Sequence, residues 1–259
     1  MKKAFVIIIL TTVFSFLKCN IHVDSVRSYG ILYQYGAGPD LRYIDLNGNI
    51  DKIIYTEVTN ITAFDTFPGG KTFIVCDGNI LKMYDINGGY IKTIPNPGLN
   101  IAHLKISPDG NKIACYDTTG TNIKILNLDG QILKQSTLTS YNYFSWSPDG
   151  SNLICSSGTT SIYRIDISDF SNSHLIYSSG ANIAYAAYSS DGNKILINNG
   201  GANYFTIDAG GNPIDSYTFS GAGATPVYFS KDGFSVYYLS GGDIYRHNIF
   251  NSTDDQLTT

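Results

Sequence analysis

The chain has 259 residues, of which 43 % are hydrophobic and only 15 % are charged, with a formal net charge of −4. This length is enough to bury a substantial core, and the acidic balance excludes the basic surface that nucleic-acid binding needs. Glutamate occurs once, at Glu57, and Asn, Ser, Thr, Gly and Tyr supply most of the polar residues. Such a composition favours strands and turns over helices.

The first 18 residues have the pattern of an export signal. Two lysines precede an apolar run from Ala4 to Leu17, which is shorter than the roughly 20 residues of a membrane span and suits a signal peptide. Cys19 follows, and the segment resembles the end of a bacterial lipoprotein signal peptide, in which the Cys becomes the first mature residue and carries the lipid. We therefore expect a signal peptide over 1–18, a lipid on Cys19 and one domain over 19–259. A signal cleaved elsewhere and an uncleaved anchor are the alternatives.

One turn phrase recurs along the rest of the chain. It reads FPGG, SPDG, SPDG, SSDG and SKDG, and its steps are 40, 40, 42 and 41 residues. The turn glycines are Gly70, Gly110, Gly150, Gly192 and Gly233. A second phrase, of the kind LKMYDING, follows each turn, and one more copy, LRYIDLNG, stands at 41–48. Six copies at a period near 41 residues indicate a repeat architecture.

Each unit is predicted to contain four short strands. The unit at 101–135 reads IAHLKIS, NKIACY, NIKILNL and QILKQS, separated by PDG, DTTGT and DG. Runs of Ile, Tyr, Val and Phe between Gly, Asp and Asn turns are typical of strands, and Asp-Gly suits the positive φ of tight hairpins. Runs that are apolar on both faces, such as KILI, fit sheets packed between other sheets.

The turn phrase resembles the WD40-like PD40 repeat of TolB-type β-propellers over about residues 30–259. This resemblance implies an all-β fold, a β-propeller of four-stranded antiparallel blades. Six blades are expected from the six copies, with five or seven as alternatives. The first blade has no turn phrase, so either IHVDSV (21–26) forms its inner strand or that strand is missing. A TolB protein has an α/β domain before its propeller. Because few residues separate Cys19 from the first repeat, we expect a propeller of that superfamily and not TolB itself.

Two kinds of residue are predicted to have packing roles. Cys76, Cys115 and Cys155 each follow an apolar run, at spacings of 39 and 40 residues. We expect them at the same strand position of successive blades, buried and too far apart for a disulfide. Trp146, which precedes one of the SPDG turns, is predicted to pack between blades.

Residues suited to catalysis are few. The chain has no G-x-S-x-G, H-E-x-x-H or P-loop motif, and its Asp-rich turns lack the ligand spacing of a calcium loop. Asp65, His103 and Lys105 are the plausible acid–base side chains on predicted inner strands. We therefore expect no catalytic residue, no metal and no cofactor.

Polar residues are expected to gather at one end of the propeller. Three Asn-Ile pairs lie ten residues before a turn glycine, where the outer strand of one blade crosses to the inner strand of the next. These crossings share one face with the loops between second and third strands, which are rich in Gly, Ser, Thr and Asn. The candidate partner-binding residues are Asn60, Asn100, His103, Tyr141, Tyr143, Asn182 and Tyr185. Tyr beside small polar residues is typical of protein-binding and sugar-binding loops; alternatively, each Asn only caps its crossing turn.

These observations favour a non-catalytic binding or scaffold protein. We expect it to be exported to the periplasm, outer membrane or cell surface, to be held at the membrane by a lipid, and to bind another cell-envelope protein, by analogy with TolB-type propellers. The alternatives are a lactonase-like or lyase-like propeller enzyme that uses the channel mouth, and a module that binds a glycan.

Overall fold

A computed structural model of the chain describes residues 19–22, 30–34, 40–45, 51–56, 61–137, 141–157, 160–199, 203–218, 228–230, 235–240, 243–249 and 252–257. The expected signal peptide lies outside these ranges. Within them the chain forms 24 β-strands and no helix, so the all-β prediction is confirmed. It follows that these ranges contain no helix that could span a membrane.

The first three blades each consist of four consecutive strands. Blade one contains β1 (Cys19–His22), β2 (Gly30–Gln34), β3 (Asp40–Asp45) and β4 (Asp51–Thr56). Blade two contains β5 (Ile61–Thr66), β6 (Thr72–Asp77), β7 (Ile80–Asp85) and β8 (Tyr90–Ile94). Blade three contains β9 (Ile101–Ile106), β10 (Lys112–Asp117), β11 (Asn122–Asn127) and β12 (Ile132–Gln135).

The last three blades have the same organisation. Blade four contains β13 (Tyr141–Trp146), β14 (Asn152–Ser157), β15 (Ser161–Asp166) and β16 (Ser173–Ser178). Blade five contains β17 (Tyr185–Tyr188), β18 (Lys194–Asn198), β19 (Asn203–Asp208) and β20 (Pro213–Thr218). Blade six contains β21 (Tyr228–Phe229), β22 (Ser235–Ser240), β23 (Asp243–Asn248) and β24 (Thr253–Gln256).

The six antiparallel sheets form a ring, which confirms the predicted six-bladed propeller. The first strands of successive blades, β1, β5, β9, β13 and β17, contact one another in that order. Every blade is built from its own four strands, so none is exchanged between the first and last blades. The predicted inner strand of blade one exists, but it begins at Cys19 and ends at His22; residues 23–26 lie outside the described residues.

Within a blade, the side chains of the SPDG phrase close the first hairpin. In blade three, Ser107 Oγ donates to Asp109 Oδ1 at 2.5 Å and accepts from Lys112 N at 2.9 Å. Asp109 Oδ1 also accepts from Asn111 N at 3.0 Å, and the bonds from Ser107 and Asn111 lower the pKa of Asp109 to about 2. Gly110 takes a φ of 73°, which favours glycine. The same Ser–Asp bond recurs at 2.6 Å in Ser147–Asp149 and Ser189–Asp191.

Between blades, the same phrase joins neighbouring turns. The proline of one turn lies against the glycine of the next, so that a methyl group on that glycine would meet the proline ring. The pairs are Pro68 with Gly110, Pro108 with Gly150 and Pro148 with Gly192, with distances of 3.5, 3.6 and 3.3 Å from the built methyl carbon to the proline Cδ atom. In blades three and four the SPDG phrase therefore both folds a hairpin and packs it against the neighbouring blades.

At the outer radius, blades are joined through the turn between their third and fourth strands. A methyl group built on Gly130 would lie 1.9 Å from Pro95 O of the preceding blade, and one on Gly211 would lie 1.9 Å from Ile176 O. An outer-strand lysine also donates to this turn of the next blade in three places. These bonds are Lys52 Nζ to Asn87 Oδ1 at 3.4 Å, Lys92 Nζ to Leu128 O at 3.2 Å and Lys134 Nζ to Ser168 O at 3.3 Å.

The core consists of apolar layers between neighbouring blades. Trp146 packs with Ala114 and Ile123 of blade three, and its Nε1 donates to Lys105 O at 3.1 Å. The predicted inter-blade role of Trp146 is therefore confirmed.

The three cysteines are buried and form no disulfide, as expected. Burial raises the pKa of Cys115 to about 12, so its thiol stays protonated and unreactive. The prediction of one shared strand position is wrong for Cys76. Cys115 and Cys155 pair with the third residue of the next strand, whereas Cys76 pairs with the second. This one-residue shift turns Cys76 to the opposite face, so that it joins Cys115 in the layer between blades two and three.

Replacing Gly130 by Ala tests the outer contact. We expect Gly130→Ala to lower the free energy of unfolding by at least about 2 kcal/mol more than Gly98→Ala, because its methyl group would overlap the neighbouring blade. Gly98 is the matched control, since its φ of 82° resembles the 80° of Gly130 and a methyl group there meets no atom within 4 Å. The control itself should lose about 1–2 kcal/mol from its positive φ. Equal losses in urea denaturation would contradict the contact.

Candidate functional site

The crossings and the loops between second and third strands do share one end of the propeller. In blade three, Thr118 N and Thr118 Oγ1 donate to Asn100 O at 2.9 and 3.2 Å, and Asn100 N donates to Asp117 Oδ1 at 3.1 Å. In blade five, Ala184 N donates to Asn198 O at 2.9 Å. We call this end the crossing face. Over blades two and three it comprises residues 78–80, 95–100 and 118–121.

The side chain that caps the crossing before blade three is Asn96, which the sequence analysis missed. Its Oδ1 accepts from Leu99 N at 2.9 Å, and its Nδ2 donates to Leu99 O at 2.9 Å and to Asn79 O at 2.8 Å. Asn96 thus closes the turn and ties it to the loop of blade two. Asn100 and Asn182 are exposed, and neither side chain hydrogen-bonds to another residue of the described ranges, so the capping alternative does not apply to them.

Charged residues lie below the crossing face in blades two and three. Lys124 Nζ contacts Asp117 Oδ2, and both side chains are buried. The equivalent pair in blade two, Lys82 and Asp77, is 2.6 Å apart. Burial alone would raise the pKa of Asp117, but hydrogen bonds from Lys124 and from the N–H groups of Asn100 and Thr119 outweigh it and lower the pKa. The loops above these pairs therefore present amides, hydroxyls and glycines without net charge.

Ile80 gives this part of the crossing face an exposed apolar side chain. Of the eight large hydrophobic residues exposed in the described ranges, seven lie on the outer strands β4, β8, β12, β16 and β20. Ile80 is the eighth, 49 % exposed, at the start of β7 beside Asn79. Among the described residues, Ile80 is therefore the large apolar side chain that the crossing face presents to solvent, and a contact there would remove it from water.

Three of the predicted partner-binding residues form an aromatic row on the innermost strands. The ring centroids of His103 and Tyr143 are 5.3 Å apart, and those of Tyr143 and Tyr185 are 5.0 Å apart with an edge-on geometry. Tyr185 is buried and Tyr143 is half-buried, and burial raises the pKa of Tyr143. The row therefore packs three neighbouring blades together at the inner radius.

Asp65, the carboxylate predicted as a possible acid–base group, contacts the next blade. Asp65 Oδ2 accepts from Ile106 N of the next blade at 2.8 Å, and Asp65 Oδ1 lies 3.7 Å from Lys105 Nζ. Ser145 Oγ accepts from Tyr188 N at 3.4 Å in the equivalent place between blades four and five. The described residues contain no group of three or more His, Cys, Asp or Glu side chains that could hold a metal ion.

The remaining predicted residues are only partly described. Asn60 lies outside the described residues. Tyr141 begins β13 and pairs with Ser157, but its side chain lies outside the description. Cys19 begins β1 and pairs with Tyr33, one residue before β2 ends.

Comparison with known proteins supports the architecture alone. No protein family and no curated protein matches the chain. A solved structure from Agrobacterium tumefaciens, provisionally assigned as TolB, matches with a TM-score of 0.69 at 18 % sequence identity, over 83 % of this chain and 86 % of that one. The chain and that structure therefore share the β-propeller fold. At this identity the likeness shows how the chain folds and not what it binds.

Proposed function

We propose that the chain is a non-catalytic binding protein of the bacterial cell envelope and that its crossing face docks another envelope protein. The observation that carries the proposal is the surface over blades two and three, where Ile80 is exposed among neutral loops. Asn96 and Asp117 hold these loops by hydrogen bonds, so binding requires little ordering of the surface. The Lys–Asp ion pairs of blades two and three lie beneath these loops. Because these charges are already paired, docking requires little desolvation of ions.

The alternatives receive less support from the described residues. A propeller enzyme would need free acid–base groups at the channel, but Asp65 is bonded to the next blade. A glycan site would need an exposed aromatic shelf, but Tyr143 and Tyr185 pack against each other. The exposed aromatic ring of Tyr90 lies on an outer strand. A protein partner therefore suits the crossing face best.

Export and lipid attachment at Cys19 belong to the same proposal. Cys19 is the first residue of β1, and β1 begins at the end of the blade that belongs to the crossing face. A lipid on Cys19 would therefore hold this face close to the membrane. The partner would then be a protein of the membrane surface.

Affinity capture from envelope extracts tests the docking face. We expect Ile80→Asp to bind the captured protein at least about tenfold more weakly than the wild type, as for a central interface residue. The matched control is Ile214→Asp, because Ile214 is 44 % exposed but lies on the outer strand β20. The control should capture the wild-type set, and an Asn100→Ala/Asn182→Ala variant should capture less of it. Identical captured sets for all variants would contradict the choice of face.

Metabolic labelling with radioactive palmitate tests the anchor. The wild-type chain should be labelled and recovered with membranes, whereas Cys19→Ser should be unlabelled, because the thiol is the acceptor of the lipid. An unlabelled wild-type chain would remove the anchor from the proposal and leave the docking face standing.

A further inference from the structure

The junction between the outer strands of blades one and two carries an exposed aromatic side chain. Tyr90, the first residue of β8, is 60 % exposed, more than any other large hydrophobic residue of the described ranges. Its hydroxyl forms a hydrogen bond of 3.0 Å with Thr93 Oγ1, and its ring meets that of Tyr84 in an edge-on geometry, with centroids 5.8 Å apart. These two contacts hold the ring in place although most of its surface is in water.

The support beneath Tyr90 is shared by both blades. The ring centroid of Tyr84 is 4.7 Å from that of Tyr55 in blade one. A methyl group built on Gly88 would lie 2.5 Å from Ile54 O, so the turn before Tyr90 also rests against blade one. A ligand that contacts Tyr90 therefore meets a surface that is already ordered, and binding requires little loss of conformational freedom.

Hydrogen-bonding groups of both kinds lie beside Tyr90. Asn87 is exposed, and its Oδ1 accepts from Lys52 Nζ of blade one at 3.4 Å, while its Nδ2 donates to none of the described residues. Asp85 Oδ1 accepts from Asn87 N at 2.7 Å and from Gly89 N at 3.0 Å. A methyl group built on Gly89 would overlap Asp85 Oδ2, so this oxygen lies over the residue that precedes Tyr90. The junction thus offers two donors, Asn87 Nδ2 and Lys52 Nζ, and one acceptor, Asp85 Oδ2.

The repeat itself does not require these side chains. Ile132 of blade three occupies the position of Tyr90, because each pairs with the fifth residue of its third strand. Asp129 occupies the position of Asn87, because each lies two residues after its third strand ends. The junction between blades two and three is therefore built with an aliphatic side chain and a carboxylate. Packing of the blades does not explain the aromatic ring and the amide of blade two.

We propose that this junction binds a carbohydrate, at a second site separate from the crossing face. The electron-rich face of an aromatic ring attracts the C–H groups of a sugar ring, and sugar hydroxyls both donate and accept hydrogen bonds. One exposed ring beside two donors and one acceptor matches both needs. Pyranoses whose hydroxyls are all equatorial suit the site best, because their axial C–H groups leave a flat apolar face.

A proline-rich protein segment suits the junction less well than a sugar. Such a segment docks into a groove lined by several aromatic side chains. Among the described residues of β3, β4, β7 and β8, Tyr90 is the one exposed aromatic side chain. A single ring with polar groups at its edge has the size of one sugar unit.

Amide chemical shifts of the full chain, titrated with cellotriose, test the inference. We expect shifts concentrated at residues 85–93, and none with sorbitol, which has similar hydroxyl groups but no ring. Tyr90→Ile installs the residue of blade three and should weaken cellotriose binding about three- to tenfold, the value of one aromatic contact. Its amide spectrum outside residues 85–93 should match the wild type, which shows that the variant is folded. Tyr90→Phe keeps the ring, Ile132→Ala alters the equivalent position, and both should bind as the wild type.

Three outcomes would overturn the inference. The first is the absence of any shift at residues 85–93 at the highest soluble concentration of cellotriose. The second is binding by Tyr90→Ile that equals the wild type. The third is a response of these residues to hexaproline and not to cellotriose, which would assign the junction to a protein segment. Because residues 85–93 lie outside the crossing face, each of these outcomes leaves the proposed docking face standing, and failure of the Ile80→Asp test leaves the carbohydrate site standing.

Discussion

The contact between the proline of one turn and the glycine of the next is the constraint that positions blades two to five relative to one another. Gly110 lies against Pro68, and Gly150 lies against Pro108. The first hairpins of blades three and four therefore each take their position from the hairpin before. Between blades two and three, the inner-radius bond from Ile106 N to Asp65 and the outer-radius approach of Gly130 to Pro95 act together with the Pro68–Gly110 contact. Because most of these contacts involve backbone atoms or glycines, they leave little room for adjustment, and they fix how these neighbouring blades pack.

The two ends of the propeller have different roles. At the turn end, carboxylates such as Asp109 and Asp149 are bound by their own turns, and hydrogen bonds lower the pKa of each to about 2. At the crossing face, the loops over blades two and three carry no unpaired charge, and they are held by Asn96 and Asp117. The turn end therefore supports the fold, while the crossing face can vary between blades without disturbing it. A binding surface is best placed at the end that the repeat does not constrain.

The strands were predictable because the repeat is a local pattern: in blade three every predicted strand boundary lies within one residue of β9 to β12. The side of a strand on which a residue lies was less predictable, as Cys76 shows, because a spacing of 39 or 40 residues conceals a one-residue shift. At the site, exposure of Asn100 and Asn182 could be predicted from the crossings. The packing of His103 against Tyr143 could not, since it depends on the distance between separate inner strands. Ile80 could not be singled out either, because its exposure depends on where the loop between the second and third strands of blade two ends.

Hydrogen exchange of the Pro108→Ala variant tests the directional coupling of blades most directly. Pro108 lies against Gly150 of the following blade, so losing its ring should speed amide exchange in the turn at 150–152. The turn of the preceding blade, at 69–72, should exchange as in the wild type, because its own contact with blade three is made by Pro68. Faster exchange confined to blade three, or equal changes on both sides, would contradict the account that each turn is positioned by the one before it.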